Sequence, residues 1–219
     1  MTLSLAEQNY IKTIYHLSEA GTREVSTNAI AEALKTKPAS VSDMIAKLAS
    51  KKVLDYQKYQ GARLSDYGKK EALKVIRKHR LWEVFLVDKL KFNWDEVHEV
   101  AEQLEHVESE LLVRRLDEFL GYPKYDPHGD PIPDESGEFK AKPQVPLNTL
   151  PLQSTAIIVA VSDTSSLFLQ YLDKIGAYLG AKVKVINKEE FDGSMEIMID
   201  NKKTVFISAA AAGNLLVTE

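Results

Sequence analysis

The sequence predicts a mainly helical chain that ends in a separate small α+β unit, and three observations predict it. Up to about residue 120, apolar side chains recur at three and four spacing, the period of helices with one buried face. Seven of the eight prolines then fall between Gly121 and Leu152, where lost amide donors and restricted backbones exclude a long helix or a central strand. Beyond them, β-branched runs such as Ile157-Ile158-Val159-Ala160-Val161 and Val183-Lys184-Val185-Ile186 take over.

The first helix spans Leu5 to Glu19, with Tyr10, Ile11, Ile14, Tyr15 and Leu17 on its apolar face, and ends near Gly21. A second runs from Thr27 to Leu34, with Ser26 or Thr27 as N-cap. Pro38 sits where a third can begin, and Val41, Ile45 and Leu48 form its buried stripe. Residues 53–64 alternate around Gly61 as a two-stranded hairpin would. Three helices and a hairpin in this order make a winged helix-turn-helix. A long helix follows from Ser65 or Asp66 through Leu90, and another starts at Asn93, with Glu96 three residues on. That last helix carries Trp94, Val97, Ala101, Leu104, Leu111 and Leu112 as its stripe. After the prolines come a strand at Thr155 to Val161, a helix at Ser165 to Leu179, and strands at Lys182 to Ile186, Met195 to Ile199 and Thr204 to Ile207. Ala209 to Ala212 forms a turn before a last strand at Leu215 to Thr218.

Composition excludes several function classes. The chain has 219 residues, enough for two or three compact units, and no cysteine, so thiol catalysis, Cys-type zinc fingers, iron–sulfur clusters and disulfides are all absent. Its longest apolar runs fall far short of a membrane span, and its start has no signal-peptide pattern, so the expectation is a cytoplasmic protein without membrane partners. The formal net charge of -4 hides an asymmetry: +7 over residues 1–80, -9 over residues 81–150 and -2 thereafter. A basic segment next to an acidic one suggests a polyanion partner for the first and cations for the second, although solvated helix faces can also cluster charge.

In the basic segment the start of the third helix would enter the major groove with Lys37, Pro38, Ala39, Ser40, Ser42 and Asp43. Thr27, at the start of the preceding helix, belongs to the same face, and Lys47, Lys58 and Arg63 are placed for phosphates. A winged helix that binds protein rather than DNA is the alternative.

In the acidic segment, His79 and Glu83 lie four apart on one helix face. His98, Glu102, Glu105 and His106 share a sector of about 100° on the next helix, beside its apolar stripe. Carboxylates and imidazoles bordering a core need a neutralising cation, and a donor set without sulfur suits Mn(II) or Fe(II), while Co(II), Ni(II) and Zn(II) would also bind. A solvated Glu-rich face remains the plainer reading. His16 reads as a helix-surface histidine and His128 as a loop histidine. A metal-dependent hydrolase lacks support, since no His-Glu-x-x-His, nucleophile elbow or phosphate loop occurs. A metal-independent regulator whose acidic helices only dimerise stays open.

Asn9-Tyr10-Ile11-Lys12-Thr13-Ile14-Tyr15, Pro38-Ala39-Ser40-Val41-Ser42, Arg77-Lys78-His79-Arg80-Leu81 with Glu83, His98 with Glu102, Glu105-His106-Val107 and Pro127-His128-Gly129-Asp130-Pro131-Ile132-Pro133 occur in one order. This ordered set resembles the diphtheria toxin repressor and manganese transport regulator family in its three-domain form, nearly end to end. The resemblance implies a winged helix-turn-helix DNA-binding domain at 1–72, a helical metal-binding and dimerisation domain at 73–140, a Pro-rich tether at 141–153 and an SH3-like domain of ferrous-transport-A type at 154–219. It implies a repressor of manganese or iron homeostasis that binds palindromic operators in double-stranded DNA as a homodimer, with metal as co-repressor. It also sorts the ligands: His79, Glu83 and His98 in one site, joined by Asp163, and Asn9, Glu102, Glu105 and His106 in the other. Asn9 stands where the family has Met or Asp, Lys12 where manganese regulators can carry a ligating Glu, and Glu102 where iron-type members place Cys. The last departure leans toward manganese.

Overall fold

A computed structural model describes residues 2–57, 61–139 and 143–218. The chain forms two compact units, one made of residues 1–79, 103–113 and 133–138, the other of residues 80–102, 114–132 and 139–219. Among the described residues no helix is long and apolar enough to cross a membrane.

The first unit opens with α1 (Leu5–Leu17), capped reciprocally: the Glu7 amide donates to the Ser4 hydroxyl and the Ser4 amide to the Glu7 carboxylate. α2 (Thr27–Ala33) takes Ser26 as N-cap, and α3 (Pro38–Ser50) starts on Pro38, whose missing amide costs nothing in a first turn. β1 (Leu54–Gln57) and β2 (Gly61–Leu64) pair antiparallel with Leu54 opposite Leu64. Val25 bridges to Ala62, donating to and accepting from it at 2.9 Å. That bridge is why residue 61 is glycine: its φ is +113°, and a Cβ would lie 2.9 Å from the Val25 carbonyl oxygen. Ile11, Ile14, Ile30, Val41, Ile45 and Leu48 fill the core, joined by Leu73 and Ile76 of α4 (Asp66–Asp88). The expected winged helix-turn-helix is therefore present, with Lys58 lying outside the described residues.

The second unit contains α5 (Val97–Leu104) up to Glu102, the end of α6 (Glu110–Phe119), and a six-stranded antiparallel sheet. The sheet strands are β3 (Val145–Pro146), β4 (Thr155–Val161), β5 (Lys182–Lys188), β6 (Met195–Ile199), β7 (Lys203–Ile207) and β8 (Leu215–Thr218), in the order β3-β8-β4-β5-β6-β7. α7 (Ser166–Ile175) packs Leu169 and Leu172 onto Ile158, Val183, Ile197 and Leu215. Gly176 in the left-handed region stops α7 four residues before its expected end. α8 (Ala209–Asn214) replaces the turn expected at Ala209 to Ala212.

Two further expectations change. The single helix from Asn93 through Leu112 is two: residues 94–96 form a turn, α5 stops at Leu104, and α6 begins at Glu110. Leu111 and Leu112 accordingly leave the buried stripe and are exposed. The segment expected as a tether also contributes to the sheet. Val145 pairs with Val217 and Pro146 with Leu216, and Leu147 and Leu150 are core residues. Proline is tolerated there because β3 is an edge strand and needs no second ladder.

Candidate metal centres and nucleic-acid interface

In the second unit Glu83 projects from α4 into a buried group with Asp126 and His128, whose ligating atoms all lie within 4.8 Å of one another. The loop that carries the last two is set by Asp126, whose Oδ1 accepts the amides of His128 at 2.8 Å and Asp130 at 3.0 Å. Gly129, at φ +91°, lies so flush on β4 that a Cβ would stand 2.1 Å from the Val159 carbonyl oxygen. The Val161 amide then donates to the His128 carbonyl. His128 is 1% exposed, and its Nε2 donates to the Trp94 carbonyl at 2.8 Å, which leaves Nδ1 facing Glu83 Oε1 at 3.7 Å. A histidine expected as a plain loop residue is thus a buried, oriented ligand candidate. The reason it escaped sequence reading is separation: Glu83 is far away in the chain, though two carboxylates flanking His128 at two-residue spacing were a visible hint.

Burial, with Glu83 and Asp130 nearby, pushes the Asp126 carboxyl up to about 7 against the pull of Arg80 and His128. His98 lies on α5 with Nδ1 3.5 Å from Glu83 Oε1 and Nε2 3.5 Å from Glu102 Oε1. Glu102 first and Glu83 second raise its imidazole to about 9. Buried carboxylates that draw protons or an imidazolium are what a cation site looks like electrostatically. His79 stands one turn before Glu83 on the same helix.

In the first unit the centre is Glu105, fully buried in the turn just after α5. Its Oε2 meets His79 Nδ1 at 2.6 Å and Lys12 Nζ at 2.8 Å. Burial raises its carboxyl, but His79 and Lys12 outweigh that and hold it below the ordinary range. Its Oε1 is buried without an aligned hydrogen-bond donor, although Lys12 Nζ is 2.7 Å away and His106 Nε2 3.7 Å. His106 Nδ1 donates to Gln8 Oε1 at 2.9 Å, so Nε2 is the nitrogen left to face Glu105. The first-helix residue that meets His106 is therefore Gln8, while Asn9 is exposed on the next position of α1. Gln8 falls in phase with buried Ile11 and Tyr15, which is the signal that distinguishes it. Asp163 serves as a local acceptor, its Oδ1 taking the Ser165 amide at 2.9 Å before α7.

The expected DNA face is laid out on α3 and the hairpin. Lys37, Pro38, Ala39, Ser40, Ser42, Asp43, Lys47 and, on β2, Arg63 are exposed, and Thr27 is half-buried at the start of α2. The Lys47 ammonium lies 3.2 Å from Glu7 Oε1, so part of its charge is already answered.

Comparison with known proteins decides the family. Residues 2–62 match the iron dependent repressor N-terminal DNA binding domain, residues 65–134 the iron dependent repressor metal binding and dimerisation domain, and residues 145–219 the FeoA domain. The HTH-type transcriptional regulator MntR of Oceanobacillus iheyensis is 38% identical over 120 residues, 54% of this chain and 80% of the relative. The chain belongs to the iron-dependent repressor family. The Iron-dependent repressor IdeR of Mycobacterium leprae is 38% identical over 124 residues, 57% of this chain; the match spans only 54% of that relative's length. Among solved structures, a manganese-dependent transcriptional repressor in complex with manganese is 36% identical with a TM-score of 0.89, covering 97% of this chain and 99% of the other. The manganese regulator SloR is 31% identical with a TM-score of 0.78, and the match covers both chains fully. For this repressor-family chain the FeoA match gives the C-terminal sheet the identity expected from the sequence.

Proposed function

We propose that the chain is a metal-dependent DNA-binding transcriptional repressor of manganese or iron homeostasis, working as a cytoplasmic homodimer on palindromic operators in double-stranded DNA. The observation that carries this reading is Glu105, a fully buried carboxylate with one oxygen lacking an aligned donor, flanked by His79 and His106 and tied through Gln8 to the first helix of the DNA-binding unit. The donor sets fit a divalent metal of intermediate hardness. Glu105 and His106, with Gln8 or Asn9 from α1, would hold one ion, while Glu102 stands beside His98. Glu83, His98, Asp126 and His128, with His79 a turn away and Asp163 further along the chain, supply ligands for another. Neither donor set includes a sulfur ligand to favour softer ions, so Mn(II) is the preferred co-repressor and Fe(II) the second, with Co(II), Ni(II) and Zn(II) as in vitro substitutes. The manganese-bound relative supports manganese as the first candidate.

The metal supplies concentrated positive charge at these carboxylates. Gln8 orients the His106 imidazole and in doing so couples the end of α5 to α1. α1 in turn holds α3, because the buried Glu7 carboxylate pairs with Lys51 at 2.6 Å and Lys47 at 3.2 Å. Ordering the ligand turn therefore orders the helix that presents Lys37 to Asp43 to a major groove. Only a difference in metal affinity between DNA-competent and incompetent arrangements can drive this. The test is a gel shift of the full chain on sequences selected from random DNA in Mn(II). Chelator should weaken binding by about 5- to 150-fold, the usual range of such coupling; equal affinity with and without metal would overturn the co-repressor reading. Metal-insensitive binding would favour a regulator whose acidic helices only dimerise.

A further inference from the structure

Lys12 places its ammonium against both oxygens of Glu105, 2.7 Å from Oε1 and 2.8 Å from Oε2. That straddling position is the one a divalent cation takes on a bidentate carboxylate. Glu105 is fully buried, and a carboxylate so placed needs a cation at hand. His79 and His106 can remain if a metal arrives, because a neutral imidazole offers a lone pair. Lys12 cannot, since an ammonium has three donors and no acceptor. Its flexible four-carbon stem gives it somewhere to go, and its side chain already keeps 13% exposure at the edge of the site.

We propose that Lys12 is the resident counter-cation of Glu105 and is displaced by the divalent metal, so that loading this site exchanges one cation for another. The idea rests on Glu105 being a metal ligand. It gives Lys12 a role that a ligand inventory would miss. The ion pair keeps the metal-free unit folded around a buried carboxylate, and it sets a threshold, because metal must compete with a tethered ammonium at every binding event. It also moves one positive charge away from the site when metal enters, on the same helix that carries Gln8.

The experiment uses the full chain and Mn(II) chloride alone. Reductive methylation followed by mass spectrometry should show Lys12 several-fold more reactive in Mn(II) than in chelator, while lysines remote from the site are unchanged. Unchanged or reduced Lys12 reactivity would overturn the exchange. Calorimetry on Lys12→Gln should show at least about tenfold tighter Mn(II) binding, with a lower melting temperature in chelator, because removing one partner of a buried pair strands the other. Equal or weaker binding would also overturn it, and the methylation readout on the wild-type chain decides the matter if this variant fails to fold. Glu105→Gln separates the two levels. Loss of one Mn(II) equivalent with static Lys12 reactivity in the wild type rejects only the exchange, whereas full Mn(II) binding by Glu105→Gln rejects the metal site and the exchange together.

Discussion

Glu7 is a buried carboxylate in the DNA-binding unit, and its chemistry is decided by neighbours rather than by burial alone. Burial by itself would raise its carboxyl, yet Lys51, the Ser4 amide and Lys47 together bring it from 4.5 down to about 2. A depressed acid stabilises the fold above its unfolded value and loses that contribution as pH falls through the folded value, so the window runs from about 4.5 to about 2. Glu7→Gln keeps an acceptor for the capping box but loses the ion pairs. It should cost about 1 kcal/mol at pH 7, since solvent screens the half-exposed Lys47, with the difference in melting temperature shrinking steadily below pH 4.5. A gap that stays constant down to pH 3 would show that the ion pairs carry little. At the same scale, the candidate site was partly legible. Glu83, His98, Glu105 and His106 stood out by residue type and spacing, but Gln8, Asp126 and His128 entered only through contacts between residues distant in the chain.

Among the elements, the loop from Asp126 to Asp130 and strand β4 form one device. Gly129→Ala would drive a methyl into the Val159 carbonyl, 2.1 Å from its ideal place, at a backbone φ of +91°. The expected cost is at least about 3 kcal/mol, read as a lowered denaturation midpoint, and His128 should be displaced with the loop. The winged helix makes a different prediction. Arg63→Ala should weaken operator binding evenly across sequences and reduce the salt slope by about 1. Lys47→Ala should do less, because Lys47 shares its charge with Glu7. Equal slopes for the two variants would reject that ranking. Element boundaries were read least well where a short break interrupts an amphipathic run. Residues 105–109 leave the helix although Glu105 and His106 continue its period, and both side chains meet polar partners, Glu105 in His79 and Lys12 and His106 in Gln8.

For the whole molecule, a ligand that binds only the folded chain raises stability by mass action. At Mn(II) one hundred times its dissociation constant, each site should add about 2.7 kcal/mol. Thermal unfolding in Mn(II) and in chelator checks this, and an unchanged melting temperature would contradict metal binding to the native fold. Charge distribution was informative at this scale: the basic first 80 residues contain the winged helix, and the acidic stretch that follows contains the ligand helices.

By itself, the sequence determined the helical first half, the proline break and the strand-rich end, because helix period, missing amide donors and β-branched runs are local properties. It also narrowed the ligand chemistry, since an absence of cysteine removes every thiolate and the candidate positions carry carboxylate, imidazole and amide donors. Tertiary structure decided which donors meet. Lys12 and His79 converge on Glu105, Gln8 rather than Asn9 reaches His106, and His128 closes on Glu83. Those pairings depend on how separate segments pack, which the spacing of no one segment encodes, although the phase of α1 already sets Gln8 on its buried face.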